Sequence, residues 1–129
     1  MKPALFFACL LLLVSTCYAT ELKDVDGNLL LESCNSAVQF MDNGAFSSGT
    51  QSSQSTWCLG YVTGVLQSLD FVGKSAGKEG RKLYPCLAGV TSAQAVRVIV
   101  KYLKENPEKL QERAVMLSLA ALQRAFPCK

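Results

Sequence analysis

Six cysteines and the absence of histidine limit the chemistry open to this chain of 129 residues. Without an imidazole, the chain cannot build a Ser/His or Cys/His nucleophile pair or a histidine-ligated metal site. The acidic residues are scattered, so no pair of carboxylates stands out for general acid–base catalysis. A serine–lysine enzyme stays a minor alternative, because the serine-rich residues 42–55 show no pattern that orders a site. The sequence therefore disfavours an enzyme.

Two short motifs imitate ligand sites but lack the required spacing. Gly73, Lys74 and Ser75 resemble the end of a phosphate-binding loop, yet Ser68 stands where that loop needs its first glycine. Residues 24–28 resemble a calcium loop without its alternating ligands. We expect a turn after a helix in the first case and helix capping in the second, with no cofactor and no metal.

The N-terminus has the form of a secretory signal peptide. Lys2 precedes a short apolar run, and small residues ending at Ala19 form an A-x-A-like cleavage site. The run is too short to span a bilayer, and no later apolar segment is longer. We therefore predict that residues 1–19 are a signal peptide and that residues 20–129 form a periplasmic domain. Lipid attachment at Cys17 is the alternative.

Four cysteines and a nearly balanced charge characterise the exported part. An even number of cysteines outside the cytoplasm predicts two disulfides. Removal of Lys2 leaves 12 of the 13 basic residues, against 10 acidic ones. Such a balance is not typical of a nucleic-acid-binding protein, which needs a clustered basic face. We therefore expect no nucleic-acid partner.

Apolar spacing predicts a small, all-α, four-helix single domain. Helical patterns cover residues 28–40 and 55–72, and a third helix begins at a capping box at Thr91. Pro107 must end the third helix, because proline disfavours the helical conformation of the residue before it. We expect Asn106 to cap a fourth helix that starts at Pro107. The last two helices then form an antiparallel hairpin.

The order of the helices predicts how the cysteines pair. An antiparallel hairpin of the third and fourth helices brings Cys86 and Cys128 together at its open end. Cys34 and Cys58 flank the connection between the first two helices. We therefore predict these two pairs among the three possible connectivities.

The second helix contains several unusual residues. Gly60 and Gly64 each cost about 1 kcal/mol relative to alanine, so we expect a neighbouring helix to approach closely there. Trp57 and Tyr61 either pack around the disulfide, which we favour, or anchor a partner. Asp70 is the only acidic residue of this helix, and it is a candidate for contact with a partner.

Two long segments without a helical period are predicted to be loops. Residues 42–55 are rich in serine and glycine, whereas residues 73–86 are locally basic and end at a cysteine. Both exceed the usual connection of about 4–6 residues, and long loops on a rigid scaffold favour recognition. We expect the second loop to bind a partner through Lys82, Leu83 and Tyr84.

Four runs of residues carry a likeness to a known family. They are Trp57-Cys58-Leu59-Gly60-Tyr61-Val62-Thr63-Gly64-Val65, then Cys86 with Val90-Thr91, then Val98-Ile99-Val100-Lys101-Tyr102-Leu103 to Pro107, and finally Ala120-Ala121-Leu122 to Phe126-Pro127-Cys128. In this order they resemble the Tai-type (Rap/Tai) immunity family, whose members protect bacteria against type VI secretion amidase effectors.

The resemblance implies an all-helical periplasmic protein, often a homodimer, that performs no catalysis. Its partner would be a peptidoglycan-cleaving cysteine amidase whose active-site cleft it blocks. The alternative is a structural or chaperone-like cell-envelope protein of the same fold with no toxin partner.

Overall fold

The computed structural model describes residues 25–128, so the predicted signal peptide, its cleavage site and Cys17 lie outside the described residues. Helices dominate this part of the chain. They are α1 (Gly27–Asn43), α2 (Gly49–Ser75), α3 (Gly77–Arg81), α4 (Ser92–Glu105) and α5 (Ala114–Ala125), with a 3₁₀ turn at Pro107–Lys109. Between residues 25 and 128 the only β-type pairing is two isolated bridges. The all-α prediction is confirmed.

Helix α1 has a clear start and a clear end. The Asp26 carboxylate accepts a hydrogen bond from the Leu29 backbone N–H at 3.0 Å, which satisfies a donor that the first turn leaves open. Gly44 ends the helix with a φ of 71°, and its N–H donates to the Phe40 carbonyl. The helix therefore extends three residues beyond the predicted end.

The predicted loop over residues 42–55 is wrong in its second half, because α2 begins at residue 49. Ser48 caps the helix by accepting from the Gln51 N–H at 3.2 Å. The buried side of this first part of α2 is polar: the Gln51 amide donates to the Gln39 side chain of α1 at 2.7 Å. Hydrogen bonds between α1 and α2 thus take the place of apolar contacts here, so this part of α2 shows no apolar spacing from which a helix could be predicted.

Helix α4 begins as predicted, whereas the fourth long helix does not. The Thr91 hydroxyl accepts a hydrogen bond from the Gln94 N–H at 3.2 Å, and the Gln94 side-chain oxygen accepts one from the Thr91 N–H at 2.9 Å. After Pro107 the chain makes only a 3₁₀ turn, and α5 starts at Ala114. The reason is long-range: the Ala114 N–H donates to the Val25 carbonyl at 2.8 Å, so the preceding residues pair with the start of α1. Asn106 donates its side-chain amide to the Tyr102 carbonyl instead of capping a new helix.

Two disulfides fasten the bundle, and they are the pairs that the helix order predicts. Cys34 and Cys58 join α1 to α2 with a Cα–Cα distance of 5.1 Å, and both are fully buried. Cys86 and Cys128 join the residues before α4 to those after α5 at 5.0 Å. The buried core around the first pair consists of Leu30, Cys34, Ala37, Cys58, Val62, Val65, Leu66, Leu87, Ala95, Val96, Ile99, Val100, Leu103, Ala114, Leu117, Ala121 and Leu122.

The expected close approach at Gly60 and Gly64 is wrong. A Cβ atom at either position would meet nothing within 4 Å, because both glycines face away from the bundle. Close packing occurs at other glycines. A Cβ at Gly27 would lie 2.5 Å from the Leu117 Cδ1 atom, and a Cβ at Gly73 would lie 3.3 Å from the Tyr84 Cβ atom.

Candidate functional site

The residues predicted to bind a partner lie in the connection between α2 and α4. This connection is less loop-like than predicted, because residues 73–75 complete α2 and α3 adds a short helix. Gly77 allows the chain to turn between the two with a φ of 69°. After α3, the Leu83 N–H donates to the Gly80 carbonyl at 3.0 Å and the Tyr84 N–H to the Arg81 carbonyl at 3.1 Å. Successive turns therefore shape the segment 82–84.

The segment 82–84 is braced against the C-terminal part of the chain. Next to it, Pro85 bridges to Pro127, and the Cys86 N–H donates to the Phe126 carbonyl at 2.8 Å. The Cys86–Cys128 disulfide covalently joins the same two segments of the chain. The Gln123 amide of α5 also donates to the Leu83 carbonyl. The backbone of the segment is thus held at several points, while the Lys82 and Leu83 side chains remain exposed.

The three side chains of the segment differ in their surroundings. Leu83 is 68% exposed although its backbone is held in place. Lys82 forms an exposed ion pair with Glu79 at 3.7 Å. Tyr84 is half-buried and packs on Gly73 of α2, so it supports the segment as well as bordering it. Leu83 is therefore the residue most available to a partner.

Asp70 lies on α2, one turn before Gly73, and lines a groove between α2 and the residues that follow Pro85. Its carboxylate pairs with Lys74 at 2.5 Å. The narrow part of the groove has a volume of about 50 Å³ and is lined by Leu69, Asp70, Gly73, Lys74, Arg81, Pro85, Cys86, Leu87 and Ala88. Because Tyr84 packs on Gly73, the structure brings Asp70 and the segment 82–84 to one surface.

A wider hollow continues from Asp70 along α2. Its volume is about 250 Å³, and it is lined by Thr63, Leu66, Gln67, Asp70, Leu87, Val90 and Ser92. The Thr63 and Ser92 hydroxyls share a hydrogen bond of 2.9 Å at its far end. The sequence does not predict this wall, because no local pattern around Leu87 indicates that the chain packs back against α2.

The electrostatics of the groove suit binding more than covalent chemistry. It presents one carboxylate beside the Lys74 ammonium and the Arg81 guanidinium, around a partly apolar floor. Among residues 25–128 no group of three or more His, Cys, Asp or Glu side chains is placed to hold a metal ion. A polar peptide segment with an apolar contact for Leu83 matches this surface.

Trp57 and Tyr61 form a separate feature on α2. Their rings stack with centroids 5.2 Å apart, and Trp57 is 36% exposed. Burial raises the pKa of the Tyr61 phenol, while the Ser118 hydroxyl and the Arg113 charge partly oppose that rise. Tyr61 thus packs toward α5, whereas the Trp57 indole reaches the surface.

Comparison with known proteins covers almost all of the described chain. A family model described as Rap1a immunity proteins matches residues 26–128. A search of curated proteins and a search of solved structures each found no match. No helix within residues 25–128 is long and apolar enough to cross a membrane.

Proposed function

Because the chain belongs to the Rap1a immunity protein family, we propose that it binds a type VI secretion amidase that cleaves peptidoglycan and covers the active-site cleft of that effector. Family membership implies an immunity function against secreted effectors, and such proteins are generally not enzymes. The observation that supports this site is the exposed Leu83 on a backbone held by a disulfide and by Gln123.

Occlusion requires a protruding anchor that loses little freedom on binding. A nanomolar complex needs about −12 kcal/mol, and a few central residues usually supply most of it. Full burial of a leucine side chain contributes about 2 kcal/mol, so Leu83 needs neighbouring contacts. Lys82 and Tyr84 lie beside it, and Asp70 offers a charged contact across the groove. The braced backbone lowers the ordering cost of this surface.

The disulfides and the family both fit an extracytoplasmic protein. In this proposal a signal peptide is cleaved after Ala19 and the mature protein works in the periplasm, where an amidase reaches peptidoglycan. The pairing of two copies, which the resemblance to Tai-type proteins implies, is also part of the proposal.

The test mixes the exported protein with a candidate peptidoglycan amidase, sought among the genes that neighbour its own, and measures affinity by calorimetry and peptidoglycan hydrolysis in the same samples. Leu83→Asp should weaken binding at least tenfold and restore hydrolysis. Leu29→Asp is the matched control, because Leu29 is also an exposed leucine, at 44%, but lies on α1.

Two results count against the proposal. Equal losses for the Leu83 and Leu29 variants, or no loss for either, would remove the segment 82–84 from the interface. The absence of any complex at micromolar concentration would favour the structural or chaperone-like envelope role.

A further inference from the structure

A hollow lies between α4 and α5, on residues that take no part in the proposed effector site. Its volume is about 290 Å³. The floor of this α4–α5 hollow is apolar and consists of Val98, Tyr102, Ala121 and Ala125. The two alanines lie one helical turn apart on α5, and their short side chains leave the space open. Small ligands bind in concave sites of this kind, which combine an apolar lining with a few polar groups.

The rim of the α4–α5 hollow is charged. Lys101 and Glu105 stand on the α4 side, and Arg124 stands on the α5 side. Lys101 and Glu105 form an ion pair at 3.8 Å, but both side chains are exposed, so the pair contributes little and can exchange for contacts with a ligand. Arg124 has no ion-pair partner among residues 25–128. The Lys109 ammonium lies 5.8 Å from the centre of the Tyr102 ring, so positive charge exceeds negative charge around the apolar floor.

The positive charge continues along α4. A neighbouring hollow of about 400 Å³ shares Lys101 and Glu105 with the first and adds Arg97 and Lys104. The Arg97 guanidinium pairs with Asp42 of α1 at 2.7 Å, whereas Lys104 has no ion pair within the described part of the chain. Cations therefore outnumber carboxylates on this side of the protein, and their field attracts anions.

The ligand that fits this charge is an acidic peptide rather than a lipid surface. Helices that bind a membrane place large apolar side chains beside their cations. Between residues 25 and 128, no large apolar side chain is exposed on α4, and the exposed Val115 and Met116 of α5 lie at the opposite end of that helix from Arg124. A short peptide of small residues and carboxylates would place its methyl groups on the floor and its charges at the rim.

We propose that the α4–α5 hollow binds the stem peptide of peptidoglycan. This inference rests on the proposed function, which places the protein in the periplasm together with an effector that cleaves that polymer. A stem peptide contains alanine, several carboxylates and a diamino acid. Its carboxylates pair with Lys101 and Arg124, its alanine methyl groups lie on the floor, and the ammonium group of the diamino acid pairs with Glu105.

A stem peptide bound in the hollow leaves the effector site open, because neither Asp70 nor the segment 82–84 lines the hollow. Weak contacts with a polymer raise the local concentration of a protein near that polymer. The protein would thus be concentrated where the effector works.

The test titrates a soluble disaccharide tetrapeptide, released from peptidoglycan, into isotope-labelled, oxidised, exported protein and follows the amide signals by NMR. The signals of residues 98–105 and 121–125 should shift. Lys101→Gln with Arg124→Gln should weaken binding at least about tenfold, because two hydrogen bonds between charged groups are lost. Lys74→Gln with Lys78→Gln is the matched control. It removes the same charge from α2 and α3, and the affinity should change less than about twofold.

A second variant separates the hollow from general attraction between charges. Ala125→Phe fills the hollow from an exposed position at the end of α5 and leaves every charge in place. It should keep the helical circular dichroism and also weaken tetrapeptide binding at least about tenfold.

The proposed function and this inference fail separately. The variants at Lys101, Arg124 and Ala125 should bind the amidase like the wild type in calorimetry. Leu83→Asp, which should lose the amidase, should bind the tetrapeptide like the wild type.

Four results would overturn the inference. They are a wild-type protein whose signals in residues 98–105 and 121–125 do not shift, equal losses for the two double variants, an unchanged affinity of Ala125→Phe, and binding of phosphatidylglycerol vesicles without binding of the tetrapeptide. The last of these would assign this side of the protein to an anionic lipid surface.

Discussion

Alanine substitutions at three helical glycines test the packing described for α1 and α2. At Gly60 and Gly64 the added methyl group meets no atom within 4 Å. The backbone there is helical, so alanine should gain about 1 kcal/mol of stability at each site. For a domain of this size each gain raises the melting temperature by about 4 °C. The double variant should gain nearly the sum.

Gly27 should respond in the opposite direction. A Cβ at this position would lie 2.5 Å from the Leu117 Cδ1 atom and 3.0 Å from the backbone of Leu110. Leu117 is almost fully buried, and backbone atoms cannot move aside cheaply. We expect Gly27→Ala to cost about 1–3 kcal/mol, as overpacking usually does.

Urea denaturation with both disulfides intact, followed by circular dichroism, gives the free energy of unfolding of each variant. The protein should be kept dilute, so that any pairing of copies does not add to the measured stability. No gain for Gly60→Ala and Gly64→Ala would mean that the protomer itself covers this face. A neutral Gly27→Ala would refute the described contact with Leu117.

Three further predictions concern single groups. Ser55 is buried and its hydroxyl has no hydrogen-bond partner, so Ser55→Ala should be neutral or gain up to about 1 kcal/mol in urea denaturation. Replacement of Cys86 and Cys128 by serine removes the disulfide that closes a loop with a sequence separation of 42. The free energy of unfolding should fall by about 4 kcal/mol in the same measurement. Burial raises the pKa of the Tyr61 phenol, so this phenol ionises at a lower pH in the unfolded chain than in the folded protein. The stability is therefore intact below pH about 10 and falls as the pH rises toward the pKa of the folded state. Tyr61→Phe should reduce this fall.

Each of these has a control. Ser36→Ala should lose about 1 kcal/mol, because the Ser36 hydroxyl donates to Gln54 at 2.8 Å, and an equal response of Ser36 and Ser55 would contradict the assignment. The serine pair should lose no more than reduced wild-type protein loses. An alkaline loss that Tyr61→Phe leaves unchanged would argue against burial of this phenol as the cause.

Local signals made much of the fold predictable. The capping box at Thr91 marked the start of α4, and the break before Pro107 marked its end. The helix order was enough to pair Cys86 with Cys128 at the open end of a hairpin. These features depend on residues that are neighbours in the sequence or on the order of the helices, and both can be taken directly from the sequence.

Interactions across the bundle were not predictable. The first turns of α2 bury Gln51 and Ser55, and a search for apolar periods cannot detect a helix whose inner face is polar. The late start of α5 depends on the hydrogen bond from Ala114 to Val25, for which no local pattern exists. The cost of Gly60 and Gly64 indicated that something favours glycine, but not that both face outward.

The candidate site was predictable in part. Segment length, local charge and the adjacent cysteine singled out Lys82, Leu83 and Tyr84. The groove beside Asp70 could not be found, because its second wall is built by residues that meet α2 only after the chain has folded.

In the proposed export to the periplasm, the position of Cys86 and Cys128 along the chain also sets the order in which the two disulfides can close. A chain that crosses the membrane N-terminus first presents Cys34 and Cys58 early, so that pair can close while the rest is still arriving. Cys86 must wait for a partner 42 residues later. The segment 82–84 is therefore shaped at the last stage of maturation. Under the proposed function, only chains that have been fully delivered and oxidised would protect the cell, and chains that have merely begun to fold would not.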